Sequence, residues 1–92
     1  PIIERFVGRL ADQLEAMRQS LDAQQYDDLR RLAHKLKGAG GSYGYPLLTE
    51  TSRVLEEAAK AQHAEAARSA LQRTNEVALA VQKAFQGAGH RK

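Results

Sequence analysis

The sequence predicts an all-α protein, folded as an antiparallel up-and-down four-helix bundle. Four segments carry apolar residues at three- and four-residue steps, which is the spacing that places them on one face of an α-helix. Alternating apolar and polar runs typical of strands are absent. The connections between the four segments are short, and helices joined in this way pack antiparallel as neighbours. A helical hairpin pair that dimerises is the structural alternative.

The first helix is predicted over about residues 2–21. Its apolar positions form one stripe that we assign to the core: Ile3, Phe6, Val7, Leu10, Leu14, Met17 and Leu21. The pattern lapses over residues 22–25. Asp27 or Asp28 then offers an N-cap and a favourable negative charge at the start of the next helix.

The second helix is predicted over about residues 28–43. Its inner stripe comprises Leu29, Leu32, Ala33, Leu36, Ala39 or Gly40, and Tyr43. Gly44 is expected just past its end, because glycine adopts the left-handed conformation that terminates helices. Pro46 suits the first turn of a third helix, since proline lacks only an amide hydrogen that is unpaired there anyway.

The third helix is predicted over residues 46–61, and a fourth follows a break near Gln62 and His63 and runs to about residue 86. The third helix is expected to turn inward Leu47, Leu48, Thr51, Val54, Leu55 and Ala58. The fourth is expected to bury Ala67, Ala70, Leu71, Thr74, Ala78, Val81 and Phe85. Residues 1–86 would thus form one domain, and residues 87–92 a flexible basic tail.

Composition excludes several classes of protein. The 92 residues suit one small domain, and the absence of cysteine excludes disulfides and thiolate metal sites. No apolar run approaches the length of a membrane span, so no membrane partner is expected. Only 5% of residues are aromatic and none is tryptophan, which argues against a stacking platform for single-stranded nucleic acid. The chain opens on Pro1, which is consistent with a piece cut from a longer protein.

Residues 34–44 stand out because they place a histidine and four glycines in a segment that otherwise reads as helix. Each glycine inside a helix costs about 1 kcal/mol relative to alanine. At about 100° per residue, His34 lies about 140° from Leu29 around the helix and therefore faces outward. Gly38 and Gly41, at i+4 and i+7, share its face, so no side chain covers the imidazole; Ser42 is short as well.

Cations surround this face. Arg30 and Lys37 share it, and Arg31 and Lys35 stand beside it. Such a group could receive an anion at the imidazole, most naturally a phosphoryl group, and would keep the ring neutral and nucleophilic near pH 7. The plainer interpretation is a solvated basic helix face. That interpretation leaves the glycines without a reason.

The run from His34 to Gly44 closely resembles the signature of histidine-containing phosphotransfer (HPt) domains of two-component phosphorelays. The family pattern has a phosphorylatable histidine, a lysine three residues on, and glycines four and ten residues on. Here these are His34, Lys37, Gly38 and Gly44. The resemblance implies a four-helix bundle that acts as a phosphocarrier and not as an enzyme. It also implies that His34 is phosphorylated on Nε2, that Lys37 contacts the phosphoryl group and that Gly38 leaves room for it.

Many members of the family carry a glutamine one helix further on, which orients the Nδ1 hydrogen of the histidine. By spacing, Glu56 stands there in this sequence. A carboxylate could fix the same tautomer, although it could also repel a phosphate. An ion pair with Lys60 at i+4 on the surface is the alternative for Glu56. Lys60 could itself add positive charge near the site.

The implied partners are response-regulator receiver domains, and a histidine kinase domain if the chain belongs to a larger cytoplasmic sensor kinase. Mg²⁺ is expected on the receiver, because this chain has no acidic cluster suited to hold it. A metal enzyme is not expected, since the three histidines, His34, His63 and His90, fall on separate segments. No cofactor is expected on the chain itself. Two alternatives stay open: the phospho-accepting substrate domain of a chemotaxis-type kinase, and a non-catalytic basic module that binds proteins or nucleic acid.

Overall fold

The computed structural model describes the backbone of residues 2–89 and the side chains of residues 4–85. Its four helices are α1 (Ile2–Asp22), α2 (Tyr26–Tyr43), α3 (Pro46–Lys60) and α4 (Ala64–Gly89). Connections of two or three residues make successive helices antiparallel. Each helix packs against two neighbours, and α1 also meets α4 to close the ring. This is the predicted up-and-down bundle, completed within one chain and without a second hairpin pair.

The core confirms the predicted stripes of α1, α2 and α4. From Phe6 onward every predicted apolar position of α1 is buried, whereas Ile3 lies outside the described side chains. In α2 the buried positions are Leu29, Ala33, Leu36 and Gly40, with Leu32, Ala39 and Tyr43 packed around them. All predicted positions of α4 are buried except Phe85, which is half-buried.

The predicted inner face of α3 was wrong at two positions. Leu47 is 68% exposed and Val54 is 37% exposed. The two are seven residues apart and so share one face, displaced by one residue from the buried pair Leu48 and Leu55. The true phase of the helix brings two polar residues inward, Ser52 and Glu56. Glu56 therefore lies in the interface with α2, which agrees with the expected contact to His34 and excludes the alternative position on the surface.

The end of α2 is as predicted, but its start is not. Gly44 adopts a left-handed conformation (φ 81°), and the amides of Gly44 and Tyr45 bond to the carbonyls of Gly41 and Gly40. This is the Schellman pattern, and Pro46 opens α3 directly after it. At the other end α2 begins at Tyr26 and follows Gln25, which makes no side-chain cap.

Asp27 and Asp28 therefore lie inside the first turn of α2, and the prediction that one of them is the N-cap was wrong. The reason is the tight turn after α1. Gln24 adopts a left-handed conformation (φ 58°), and the Gln25 amide bonds to the Ser20 carbonyl at 2.8 Å. This turn lets the helix start two residues early. From within the first turn, the two carboxylates still interact favourably with the positive end of the helix dipole.

The fourth helix begins at a histidine cap and ends later than expected. The Ala66 amide donates to His63 Nδ1 at 3.2 Å, so His63 acts in place of the usual small polar cap. The helix continues to Gly89, and residues 87–89, which the sequence assigns to the tail, are helical. Residues 90–92 lie outside the described residues.

Candidate functional site

His34 projects from the middle of α2 into solvent. Its side chain is 65% exposed, as the helical phase predicts. One ring nitrogen is nevertheless held: Nδ1 lies 2.8 Å from Oε2 of Glu56 on α3. The other nitrogen, Nε2, has no bond to any described residue. The imidazole is thus anchored on its inner side and open on its outer side.

Glu56 is the buried centre of the site. Its side chain is only 6% exposed, and both oxygens are used by α2: Oε2 by His34, and Oε1 by Lys37 Nζ at 2.8 Å. The pKa of Glu56 lies below its ordinary value because the hydrogen bond from Lys37, and then that from His34, favour the charged form. Burial acts in the opposite direction. Pairing with Lys60 on the surface, the alternative drawn from the sequence, is therefore wrong.

The carboxylate decides which nitrogen of His34 carries the proton. An ionised carboxylate has only acceptors, so a neutral imidazole must donate Nδ1–H to it. The lone pair then resides on Nε2, the exposed nitrogen. The interhelical hydrogen bond therefore presents a nucleophilic atom to solvent in a fixed orientation.

Lys37 is drawn toward Glu56 and away from open solvent. Its side chain is 31% exposed, and its ammonium neutralises the buried carboxylate beside His34. Without this cation, Glu56 would present a negative charge next to any phosphate on the imidazole. Lys37 therefore lies on the His34 face, as predicted, with its charge shared between that face and Glu56.

The glycines of α2 have different structural roles. A Cβ placed on Gly38 would meet nothing within 4 Å, and one on Gly41 would meet only Thr49 Oγ1, at 3.8 Å. The fold therefore does not require glycine at either position, although both lie on the His34 face. At Gly40, by contrast, a Cβ would lie 2.8 Å from Thr49 Oγ1. Gly40 permits close helix packing, whereas Gly38 and Gly41 leave an open strip beside the imidazole, next to the exposed Ser42.

The arginines near His34 are less available than the sequence suggests. Arg30 pairs with Asp27 at 3.1 Å, and Arg31 pairs with Asp28 at 2.6 Å. Both acids lie one turn earlier on the same helix, so they neutralise this end of the basic face.

On the His34 side of the bundle, two lysines have no ion pair to any residue that the structure describes, Lys35 and Lys60. Both are exposed. Lys60 lines a shallow hollow between α2 and α3 together with Arg30, so the structure brings it to the His34 side of the bundle. The positive charge available to a partner therefore lies mainly with these lysines.

The sequence does not predict that Thr49 contacts α2 in this region. Its hydroxyl donates to the Lys37 carbonyl at 3.3 Å, across the interface between α3 and α2. The available signal was Gly40, a buried glycine that implies a close neighbour. Nothing in the sequence indicates which residue of α3 that neighbour is.

The state of Glu56 makes stability depend on pH in a predictable direction. Because its folded-state pKa is depressed, the carboxylate stabilises the fold above its ordinary pKa of 4.5, and this contribution is lost as the pH falls through the folded-state value. Urea unfolding should show wild type more stable than Glu56→Gln by about 1–3 kcal/mol near neutrality. The difference should shrink as the pH falls from neutrality through the depressed folded-state pKa of Glu56.

Glu57→Gln is the matched control, since Glu57 is an exposed carboxylate on the same helix. We expect this variant to follow the wild-type stability curve across the same pH range. A gap between wild type and Glu56→Gln that is independent of pH would contradict the buried ionised state of Glu56.

Within residues 2–89, no helix is long and apolar enough to cross a membrane. The described residues also contain no group of three or more His, Cys, Asp or Glu that could hold a metal ion. A family model described as the Hpt domain matches residues 1–87, which is nearly the whole chain. Neither the curated proteins nor the solved structures gave a significant match.

Proposed function

The chain belongs to the Hpt domain family, the phosphocarrier modules of two-component systems, and from this membership we propose that it relays a phosphoryl group between receiver-domain aspartates through His34. One observation carries the assignment of His34. Its Nε2 is exposed while Nδ1 is bound at 2.8 Å by the buried, ionised Glu56. Of the three histidines, only His34 also lies in the family's sequence pattern.

The proposed step is a single in-line displacement. The Nε2 lone pair attacks the phosphorus of a receiver aspartyl phosphate, the bond between phosphorus and the aspartyl oxygen breaks, and the carboxylate leaves with that electron pair. The ring becomes positively charged as the N–P bond forms, and the Glu56 carboxylate stabilises this charge through Nδ1–H. The reverse step returns the group to a second receiver, and the bundle contributes position and charge.

Lys37 has two tasks in this proposal. It neutralises Glu56 before transfer, so the carboxylate does not repel the incoming phosphoryl group. Its position at i+3 also lets the ammonium contact the phosphoryl oxygens once they are on Nε2. Mg²⁺ is assigned to the receiver, where it shields the aspartyl phosphate, and the chain requires no cofactor of its own.

The receiver is expected to dock over the open strip beside His34. Gly38 and Gly41 leave room for its surface, and Lys35 and Lys60 attract its acidic phosphorylation pocket. Ser42 lies at the edge of this face, and the paired Arg30 and Arg31 contribute less to the attraction. We place the relay in the cytoplasm, where a kinase domain has access to ATP.

The test is transfer of radiolabel from phosphorylated receiver domains to the purified chain. Acid-labile, alkali-stable label on the chain is the result that the relay predicts. Labelling by a kinase domain with ATP but by no receiver would assign the chain to the substrate domains of chemotaxis-type kinases. Failure of every receiver and every kinase domain, together with salt-dependent binding to DNA or RNA, would favour the basic binding module.

Gly38 provides a separate prediction about access. Gly38→Gln should slow receiver transfer about tenfold or more, because the new side chain lies over the imidazole at i+4. Helical circular dichroism should be retained, since the position is open. Gly38→Ala should raise the melting temperature and alter transfer much less, as alanine favours helix by about 1 kcal/mol.

Ser69→Gln places the same side chain on the exposed surface of α4, which does not contact α2 among the described residues. This control should transfer at the wild-type rate. Equal rates for Gly38→Gln and Ser69→Gln would show that the open strip is not needed.

A further inference from the structure

Thr49 is wedged against the backbone of α2. Its hydroxyl donates to the Lys37 carbonyl oxygen at 3.3 Å. A Cβ on Gly40 would lie 2.8 Å from the same hydroxyl and 3.1 Å from the Thr49 amide nitrogen. Backbone and side chain of α3 thus occupy the space that any other residue at position 40 would need. The two helices approach closely here, and a side chain at position 40 would force Thr49 to shift.

This contact and the His34 site lie along the same interface between α2 and α3. Thr49 and Glu56 are seven residues apart, two helical turns, so they share one face of α3 about 10 Å from each other. Because α2 and α3 are antiparallel, this face meets α2 at Gly40 and again at His34. Lys37 links the two contacts: Thr49 binds its backbone carbonyl, and Glu56 binds its ammonium.

We propose that Thr49 is a positioning residue for the phosphoacceptor. It fixes the axial register of α3 on α2, and that register brings the Glu56 carboxylate to His34 Nδ1. The 2.8 Å contact is directional, so an axial slide of α3 on α2 would lengthen it and misalign the Nδ1–H donor with the carboxylate oxygen. The consequence for transfer rests on the proposed relay function, whereas the consequence for the His34 tautomer does not.

The register has a direct spectroscopic signature. In the wild type, ¹⁵N shifts of the neutral His34 ring should report the tautomer with its proton on Nδ1, because Glu56 accepts that proton. Thr49→Val keeps the shape of the side chain and removes the hydroxyl. We expect it to lower the Nδ1–H population and to slow receiver transfer about threefold to tenfold, the size expected for loss of one hydrogen bond. Thr49→Ser should restore both.

The matched control is Thr51→Val. Thr51 lies two residues further along α3 and donates to the Leu48 carbonyl of its own helix at 3.3 Å. This substitution removes a hydroxyl from α3 without touching α2, so tautomer and transfer should stay at wild-type values. Gly40→Ala perturbs the same contact from the other helix and should shift the tautomer in the direction of Thr49→Val. Circular dichroism establishes that each variant is folded.

A wild-type tautomer in folded Thr49→Val would overturn the positioning role, even if the relay itself is confirmed. The positioning role would also be overturned if Thr51→Val shifted the tautomer as much as Thr49→Val. Absence of receiver transfer in the wild type would instead contradict the proposed function and leave the tautomer measurement to decide on the register.

Discussion

Replacing His34 by glutamine is expected to abolish transfer of label from a phosphorylated receiver domain. Glutamine keeps the length and polarity of the side chain but has no nucleophilic nitrogen, so no N–P bond can form. His34 is exposed and its only described hydrogen bond is to Glu56, so the helical content should stay at the wild-type level. The measurement is label retained on the chain after separation from the receiver.

His63→Gln is the matched control for this prediction. His63 is also exposed, but it caps α4 through Nδ1 and lies in the connection after α3. The control should lose a little stability and keep wild-type labelling. Label that persists in His34→Gln and disappears in His63→Gln would show that His63, and not His34, is the phosphoacceptor.

Replacing Glu56 by alanine is expected to slow transfer by about a hundredfold, on the order of the loss of one preorganised electrostatic group. Without the carboxylate, the imidazole can carry its proton on Nε2, which removes the nucleophilic lone pair from the exposed side. The positive charge that develops on the ring would also lose its counter-charge. Lys37 would lose its partner, although its partial exposure lets it turn to water.

Glu56→Gln separates orientation from charge. The amide oxygen can still accept Nδ1–H, so the tautomer should be kept, while the stabilising charge is lost. We therefore expect a rate between those of wild type and Glu56→Ala, measured in single turnovers with excess phosphorylated receiver. A Glu56→Ala variant that transfers at the wild-type rate would contradict the role given to the buried carboxylate.

Much of the fold follows from the sequence because three of the four stripes are unambiguous. In α1, α2 and α4 the large apolar residues fall on one face, apart from the exposed Leu79 in α4, so periodicity fixes the phase. The phase of α2 in turn points His34 outward. In α3 the apolar residues spread over two faces. A prediction from hydrophobicity alone therefore placed Leu47 and Val54 in the core, although both are exposed. Packing against α2 and α4 instead selected the face that carries Ser52 and Glu56.

The electrostatics of the site were harder to predict than its position. The sequence predicted that Arg30 and Arg31 help to attract an anion to His34. In the structure, Asp27 and Asp28 pair with them from one turn earlier. Both acids lie in the first turn of α2, where the sequence indicated one or the other of them as the N-cap. The contacts between Glu56 and His34 and between Thr49 and Lys37 join residues 22 and 12 positions apart, which no local pattern specifies.

The central claim is that Glu56 directs the phosphoryl group to Nε2 of His34. Nuclear magnetic resonance of the phosphorylated chain, with ¹⁵N in its histidine rings, tests this claim most directly. The predicted result is a ³¹P–¹⁵N coupling to Nε2 of His34, with Nδ1 still protonated against Glu56. Coupling to Nδ1, or to the ring of another histidine, would contradict it.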